Sequence, residues 1–212
     1  MDTLNFILQK SNITYDDKTP MPIDIPNVGR DNLAQWLHEL NFKTGVEVGV
    51  AEGKYNEVLC KSNPQMTVYG VDAWQTYQDY PDYKGWETLD PLYQKAVKRL
   101  EPYPNHKIIK AFSADGAKQF TDDSLDFVYI DANHSDPYIS QDIEAWSQKV
   151  RTGGIISGHD YVWWVGQNYH VKEDISGYTQ KHKIRPYFVL GSRGEEPGEI
   201  RDKSRSWMWV KP

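Results

Sequence analysis

The sequence predicts one α/β domain whose doubly wound, mostly parallel sheet ends in a C-terminal antiparallel hairpin. Short apolar segments alternate with amphipathic helical segments from residue 31 to the end of the chain, and this alternation is typical of a parallel sheet covered by helices on both faces. Residues 192–206 are rich in glycine, charge and turn formers, which predicts that the last two strands pair as a hairpin. A length of 212 residues is sufficient for one such domain.

The predicted domain spans residues 31–212, and residues 1–30 are predicted to form an irregular lead-in because prolines interrupt a segment with little periodicity. A first helix is predicted where apolar residues recur at helical spacing from Leu33 to Leu40, with Asp31 as its cap. The predicted strands are Gly45–Val50, Met66–Val71, Lys107–Phe112, Leu125–Asp131, Gly154–Ser157, Tyr187–Leu190 and Trp207–Val210. The predicted helices among them are Tyr55–Lys61, Pro91–Leu100, Ala114–Phe120, Pro137–Val150 and Val171–His182.

The composition disfavours one class of partner and excludes two kinds of cysteine site. A formal net charge of −6 disfavours a nucleic-acid partner, because tracking a phosphate backbone requires clustered Lys and Arg. Cys60 is the only cysteine, so neither an intramolecular disulfide nor a cysteine-based zinc site can form. No secretory leader and no apolar run of membrane-spanning length is visible. We therefore expect a cytoplasmic protein with a small-molecule partner and no membrane partner.

A glycine-containing loop, Gly45-Val-Glu-Val-Gly-Val-Ala-Glu-Gly53, joins the first predicted strand of the domain to a helix. Gly49 and Gly53 carry no side chains, so the backbone there can approach a ligand closely. The G-x-G-x-x-G spacing that suits a pyrophosphate is absent, which disfavours a nicotinamide-dependent oxidoreductase. Glu47 instead places a carboxylate where it would repel a phosphate and attract an amino group. The alternative interpretation is that the glycines merely form a bend.

A second acid, Asp72, ends the next predicted strand. The ribose-binding acid of dinucleotide-binding folds lies at a similar offset from the glycine loop, and a carboxylate there can accept hydrogen bonds from both ribose hydroxyls. Acids at two consecutive strand ends favour a ligand with a cationic amino-acid end over a merely structural turn.

The series Glu47-x-Gly49-x-x-x-Gly53, then Asp72, then Phe112-Ser113 resembles the cofactor site of class I S-adenosylmethionine-dependent methyltransferases. The resemblance extends from about residue 31 to the C-terminus. It implies a Rossmann-like sheet of seven strands with the final strand antiparallel, which agrees with the hairpin inferred from the loop composition.

The resemblance also implies roles for the cofactor-binding residues. Glu47 and Gly49 would lie near the methionine end of S-adenosylmethionine, Asp72 would bind the ribose, and Phe112 and Ser113 would flank the adenine. The full set of cofactor-binding residues that it implies is Glu47, Gly49, Gly53, Asp72, Ala73, Phe112, Ser113 and Asp131.

Polar clusters follow two later strands, Asp131-Ala-Asn-His134 and Gly158-His159-Asp160. Both strands would end at the ligand-binding edge of the sheet, so Asp131, His159 and Asp160 can converge on a divalent cation. Oxygen-rich sites favour Mg²⁺, Ca²⁺ or Mn²⁺ over zinc. His134 is the candidate general base. The alternatives are a turn that caps the next helix and a structural His–Asp pair.

The second half of the chain carries a narrower resemblance. Ile130-Asp-Ala-Asn-His134, followed by Asp142, Trp146 and Gly153-Gly-Ile-Ile-Ser-Gly-His-Asp160, resembles a small branch of class I methyltransferases that includes metal-dependent macrolide-sugar O-methyltransferases. This resemblance implies that Asp131 and Asp160 are metal ligands and that His134 removes the hydroxyl proton of the acceptor. Those enzymes usually have a carboxylate at the position of His159, so the histidine changes the donor set.

Aromatic residues surround the predicted ligand-binding edge and carry less specific signals. Two groups leave the sheet there and could form walls for the ligands or pack against helices; they are Trp74, Tyr77, Tyr80, Tyr83 and Trp86, and Tyr161, Trp163, Trp164 and Tyr169. His170 is a second candidate base. Trp207 and Trp209 alternate in the final strand, which indicates a place in the core or at the contact of a homodimer.

The sequence thus predicts an enzyme that transfers the methyl group of S-adenosylmethionine to a hydroxyl of a small molecule or sugar, with Mg²⁺ or another divalent cation as a further cofactor. Two alternatives remain from the sequence. One is a nucleic-acid or protein methyltransferase, and the other is a catalytically inert module that binds the cofactor.

Overall fold

One mixed sheet carries the candidate site. The computed structural model describes residues 2–75, 88–162, 170–194 and 196–212. Within these ranges the strands are β1 (Ile23–Ile25), β2 (Thr44–Val48), β3 (Thr67–Asp72), β4 (His106–Lys110), β5 (Leu125–Ile130), β6 (Val150–Gly158), β7 (Tyr187–Leu190) and β8 (Ser206–Val210). The helices are α1 (Thr3–Lys10), α2 (Arg30–Glu39), α3 (Lys54–Ser62), α4 (Asp90–Leu100), α5 (Ser113–Ala117), α6 (Tyr138–Lys149) and α7 (Val171–Lys181).

The strand order is β1-β7-β8-β6-β5-β2-β3-β4. β8 is antiparallel to both of its neighbours, β6 and β7, whereas the other strand pairs are parallel. The predicted Rossmann-like α/β fold with a C-terminal antiparallel hairpin is therefore confirmed. The order reverses between β2 and β5, and ligands of such sheets bind beyond the carboxyl ends of the strands at that point.

The N-terminal segment is more regular than we predicted. Instead of an irregular lead-in it contains α1 and β1, and β1 extends the expected seven strands to eight by pairing with β7. Asp2 caps α1 by accepting a hydrogen bond from the Asn5 amide. A strand of three residues is too short for an alternation of apolar and polar residues to be recognised in the sequence. These residues form a strand because they pair with the edge of β7.

The prediction of Asp31 as the cap of α2 was wrong. The helix begins at Arg30 after Gly29, and the Gly29 amide donates to the Asn32 side chain at 2.9 Å. Asp31 lies instead in the first turn, where its charge still favours the helix dipole. The earlier start places Arg30 at the edge of the sheet that carries the candidate site.

The core occupies both faces of the sheet because successive strand residues point to opposite sides. In β5, for example, Phe127 and Tyr129 pack on one face, and Val128 and Ile130 on the other. Trp207 and Trp209 are fully buried and stack with a centroid distance of 5.1 Å, so the core alternative is confirmed for these two rings. None of the helices in the described ranges combines the length and apolar character needed to span a lipid bilayer.

Candidate functional site

A cavity of about 320 Å³ lies at the carboxyl ends of the central parallel strands. Four of these strands each contribute an acid to its wall, with Glu47 from β2, Asp72 from β3, Asp131 after β5 and Asp160 after β6. These four strand-end acids therefore lie in one cavity, as the parallel topology requires, whereas His159, which the sequence placed with Asp131 and Asp160, does not line it. Four acids in one wall favour a ligand that carries a cationic group.

Gly49 is required where β2 turns towards α3. Its φ of +89° is left-handed, and a Cβ at this position would lie only 2.1 Å from the carbonyl oxygen of Asp131. Gly53 serves the fold more than the cavity, because it precedes α3 with a φ of +76° and packs against Leu100. Gly49 lines the cavity and Gly53 does not.

Glu47 lines the cavity and is almost completely buried. Burial raises the pKa of its carboxyl well above the usual range, and the neighbouring Asp131 raises it further, although the Asn56 side chain and Arg30 act in the opposite direction. Within the described residues, the Glu47 Oε2 atom has no hydrogen-bond partner. A cationic group entering the cavity would supply the missing partner.

Asp72 shapes the turn beside it as well as facing the cavity. Its Oδ2 atom accepts hydrogen bonds from the amides of Val50 and Ala51, both at 2.9 Å, and its Oδ1 atom accepts one from the Trp74 amide at 2.7 Å. Burial raises the pKa of this carboxyl despite these three donors. Since a carboxylate offers about four lone-pair sites, at most one is left for a ligand hydroxyl in this arrangement.

Ser113 and Phe112, expected at the adenine, have different positions. Ser113 lines the cavity, whereas Phe112 is 38% exposed and does not line it. The Ser113 hydroxyl donates to Asp142 Oδ1 at 2.5 Å and accepts from the Trp146 indole at 2.9 Å. Burial raises the pKa of Asp142 to about 7, against the lowering effect of the Ser113 hydrogen bond and the His134 charge.

Two aspartates and a histidine form a polar cluster in the wall of the cavity. His134 Nε2 lies 3.0 Å from Asp160 Oδ2 and 3.5 Å from Asp131 Oδ1. Each of these three residues offers one ligand atom, and the atoms lie within 4.8 Å of one another. The residues fit a divalent cation, with two oxygen donors and one nitrogen donor.

The two histidines of the cluster are placed differently from the prediction, which paired His159 with the aspartates as a ligand. His159 Nδ1 lies 3.2 Å from Asp160 and 3.9 Å from Asp131, but its Nε2 atom faces Asp202 at 3.3 Å. It does not line the cavity, whereas His134 does. The structure therefore groups His134 with the two aspartates as the third ligand candidate and places His159 between Asp160 and Asp202.

The protonation of His134 follows from its neighbours. Burial lowers its pKa, but hydrogen bonds to Asp131 and Asp160 outweigh burial and raise the pKa to about 10. As long as both carboxylates face it, the imidazole holds a proton at neutral pH and cannot accept another. Asp160 shows the complementary effect, because the two histidines lower the pKa of its carboxyl well below the usual range despite its burial.

Arg30 and Asn133 also line the cavity and were not predicted from the sequence. The Arg30 guanidinium lies over the Tyr55 ring at 5.2 Å from its centroid, and its Nη1 atom is 3.7 Å from Asp131 Oδ2. The sequence could have indicated Arg30 as a site residue only if the first residue of α2 had been predicted correctly. Asn133 is buried and accepts a hydrogen bond from the Ser135 amide, as a turn residue does.

The predicted aromatic walls lie mostly outside the described residues. This holds for Tyr77, Tyr80, Tyr83, Trp86, Trp163, Trp164 and Tyr169. Of the two described rings, Trp74 and Tyr161 are both buried. His170, the second candidate base, immediately precedes α7 and does not line the cavity.

Comparison with known proteins agrees with the sheet and the cavity. A family model described as a methyltransferase domain matches residues 46–161, more than half of the chain. No curated protein sequence matches the chain.

Solved structures share the fold at low sequence identity. A proposed caffeoyl-CoA O-methyltransferase from Staphylococcus aureus superimposes with a TM-score of 0.61 at 12% identity, covering 99% of this chain and 90% of that one. An O-methyltransferase from Bacillus cereus, in complex with S-adenosylhomocysteine, gives 0.58 at 15% identity with coverages of 99% and 90%. An rRNA methylase from Streptococcus thermophilus gives 0.55 at 12% identity, covering 84% and 93%. Similarity at these identities establishes the fold alone.

Proposed function

The chain belongs to the methyltransferase domain family and is an S-adenosylmethionine-dependent methyltransferase, and we propose that it methylates a hydroxyl oxygen of a small molecule or sugar. The observation that carries this proposal is one cavity whose wall contains two kinds of polar group. Glu47 and Asp72 lie at the ends of β2 and β3, and Asp131, His134 and Asp160 form a cluster whose ligand atoms lie within 4.8 Å of one another. The two strand-end acids suit the cofactor, and the cluster suits an acceptor whose hydroxyl must lose a proton.

The cofactor's amino-acid end is proposed to lie against Glu47 and Gly49, and its ribose beside Asp72 and Ala73. Glu47 would receive the cofactor's ammonium group, because this buried carboxylate has an oxygen without a partner among the described residues. Ser113 would face the adenine. Gly53 and Phe112, which do not line the cavity, would act only by shaping the loops that do.

For this reaction the protein is proposed to supply two things: it aligns the acceptor with the cofactor, and it removes the proton of the acceptor's hydroxyl. S-adenosylmethionine, when bound, supplies a reactive methyl group on sulfur, and methyl transfer breaks the sulfur–carbon bond as the acceptor oxygen forms its new one. Orienting the acceptor in line with that bond is therefore the first task of the cavity wall.

Asp131 and Asp160, with His134 or His159, would hold a divalent cation such as Mg²⁺, which lowers the pKa of a bound hydroxyl when present. His134 lies between the aspartates and is the proposed proton acceptor, at its Nε2 atom. It can act only when the two carboxylates no longer retain its own proton. His134 is thus proposed either to bind the cation or to accept the proton. Which of the two it does depends on whether Asp131 and Asp160 keep it protonated.

Two measurements test the proposal. Calorimetry should detect binding of S-adenosylhomocysteine, and Asp72→Ala should weaken it by about tenfold or more because a charge-assisted hydrogen bond is lost. Transfer of a labelled methyl group to a panel of sugars, phenols, RNA and protein should then give labelled small-molecule hydroxyls. Labelling of RNA alone or protein alone would contradict the acceptor class, and no binding would contradict the cofactor.

The cluster is tested separately from the cofactor. Chelation should abolish turnover while binding of S-adenosylhomocysteine stays nearly unchanged. His134→Ala should lower turnover by about a hundredfold to ten-thousandfold, the usual contribution of a general base, and His38→Ala, on an exposed position of α2, serves as the control. If His134→Ala lowers turnover by less than threefold, His134 is not the general base. If turnover is insensitive to chelation, no cation takes part in the mechanism.

A further inference from the structure

The amino-acid end of the proposed cofactor carries two opposite charges, and the predicted residues account for only one of them. Glu47 matches the ammonium group, but no residue predicted from the sequence matches the α-carboxylate. The ammonium and the carboxylate are attached to the same carbon, so a partner for the carboxylate must lie close to Glu47. The wall of the cavity is otherwise dominated by acids, which would repel that carboxylate.

Among the described residues, three side chains that carry a positive charge at neutral pH line the cavity, Arg30, Lys54 and His134. The His134 Nε2 atom faces Asp160 at 3.0 Å and Asp131 at 3.5 Å, so it is not the candidate. Lys54 is already paired with Glu52 at 3.1 Å, and its side chain is 71% exposed. The Arg30 side chain is 38% exposed and lies 3.7 Å from Asp131, close enough to Glu47 to lower the pKa of its carboxyl. Position and exposure therefore favour Arg30 over Lys54.

The surroundings of Arg30 hold its guanidinium in place without using all its donors. The side chain lies over the Tyr55 ring, and the Tyr55 hydroxyl donates to the Arg30 backbone carbonyl at 2.9 Å. The Tyr129 side chain forms a hydrogen bond with the guanidinium, whereas the distance of 3.7 Å to Asp131 exceeds that of a hydrogen bond. A guanidinium has five N–H donors in a planar fork that matches a carboxylate, so donors remain for a ligand.

We propose that Arg30 is a specificity-determining residue that binds the α-carboxylate of the cofactor's amino-acid end, opposite Glu47. This inference rests on the proposed position of the cofactor in the cavity. Arg30 lies outside residues 46–161, which the family model matches, so the N-terminal segment would complete the cofactor site. The pair Arg30 and Glu47 then recognises a zwitterionic ligand and disfavours one that lacks either charge.

The test removes the charge from the protein and from the ligand in turn. Calorimetry compares S-adenosylhomocysteine with its decarboxylated analogue, S-adenosyl-3-thiopropylamine, for the wild type, Arg30→Gln, Arg30→Lys and Lys54→Gln. The wild type should lose about tenfold to a hundredfold in affinity when the ligand carboxylate is removed, as expected for a charged hydrogen bond. In Arg30→Gln the two ligands should bind within about threefold of each other, with Arg30→Lys intermediate.

The controls separate this inference from a structural role of Arg30 and from the proposed function. Lys54→Gln should keep the wild-type ratio of affinities, and thermal unfolding verifies that each variant is folded. If Arg30→Gln weakens both ligands equally, or if Lys54→Gln abolishes the ratio, the assignment to Arg30 is overturned while cofactor binding stands. If the wild type binds neither ligand, the proposed cofactor site itself is refuted.

Discussion

Replacing Gly49 by alanine tests the closest backbone approach in the candidate site. A Cβ at Gly49 would lie 2.1 Å from the Asp131 carbonyl oxygen and 2.7 Å from the Ala132 Cα atom. Both are backbone atoms, so no side chain can rotate away, and the ends of β2 and β5 must separate. The substitution also places an L-residue at a φ of +89°, a region that side chains disfavour.

The expected cost follows from these two effects. A left-handed conformation costs a non-glycine residue about 1–2 kcal/mol, and inserting a methyl group into a filled space costs about 1–3 kcal/mol. The free energy of unfolding should therefore fall by about 2–5 kcal/mol, a large share of the roughly 5–15 kcal/mol that stabilises a typical domain. Since Asp131 moves with the strand end, affinity for S-adenosylhomocysteine should fall as well.

Two other glycines serve as matched controls. Gly198 has nearly the same φ, +87°, but an added Cβ would meet nothing within 4 Å, so its alanine variant should show only the conformational cost. Gly177 lies in α7 with equally open space, and its alanine variant should gain up to about 1 kcal/mol from helix propensity. Urea unfolding measures all three variants, with unchanged m-values indicating comparable unfolded states. If Gly49→Ala is no less stable than Gly198→Ala, the close approach to Asp131 does not exist.

Two further predictions concern buried polar groups. Burial raises the pKa of Asp142 to about 7, so the folded state holds its proton more tightly than the unfolded state; its stabilising contribution is complete below about pH 4 and is lost as the pH rises to 7. Wild-type stability should fall relative to Asp142→Asn across that range, by up to about 4 kcal/mol, and parallel pH profiles in urea unfolding would contradict this. Ser206→Ala removes the buried hydrogen bond to the Tyr129 hydroxyl, 2.8 Å long, and should cost about 1–3 kcal/mol. Adding Tyr129→Phe should recover part of that loss, and strictly additive costs would show that the two hydroxyls are not coupled.

The pattern of apolar residues along the chain determined the fold class. Each central strand appears in the sequence as an apolar run bounded by turn residues, and β7 was predicted with the boundaries that the structure has, Tyr187–Leu190. Because parallel strands end at one edge of the sheet, the sequence placed Glu47, Asp72 and the cluster of Asp131, His159 and Asp160 at that edge. The four acids line one cavity there and His159 does not, and the ligand that each acid binds stays a prediction.

Only the tertiary structure decided which neighbours these acids have. Whether His134 or His159 lines the cavity beside the two aspartates depends on how the loops after β5 and β6 turn, and the residue spacing is compatible with either. Arg30 enters the site because α2 begins at Arg30 and packs against α3, although Arg30 is about a hundred residues from Asp131 in sequence. The local periodicity of the sequence indicates which residues are buried. The distances between residues far apart in the sequence arise only when the whole sheet packs. Those distances determine the protonation states of the side chains in the cavity.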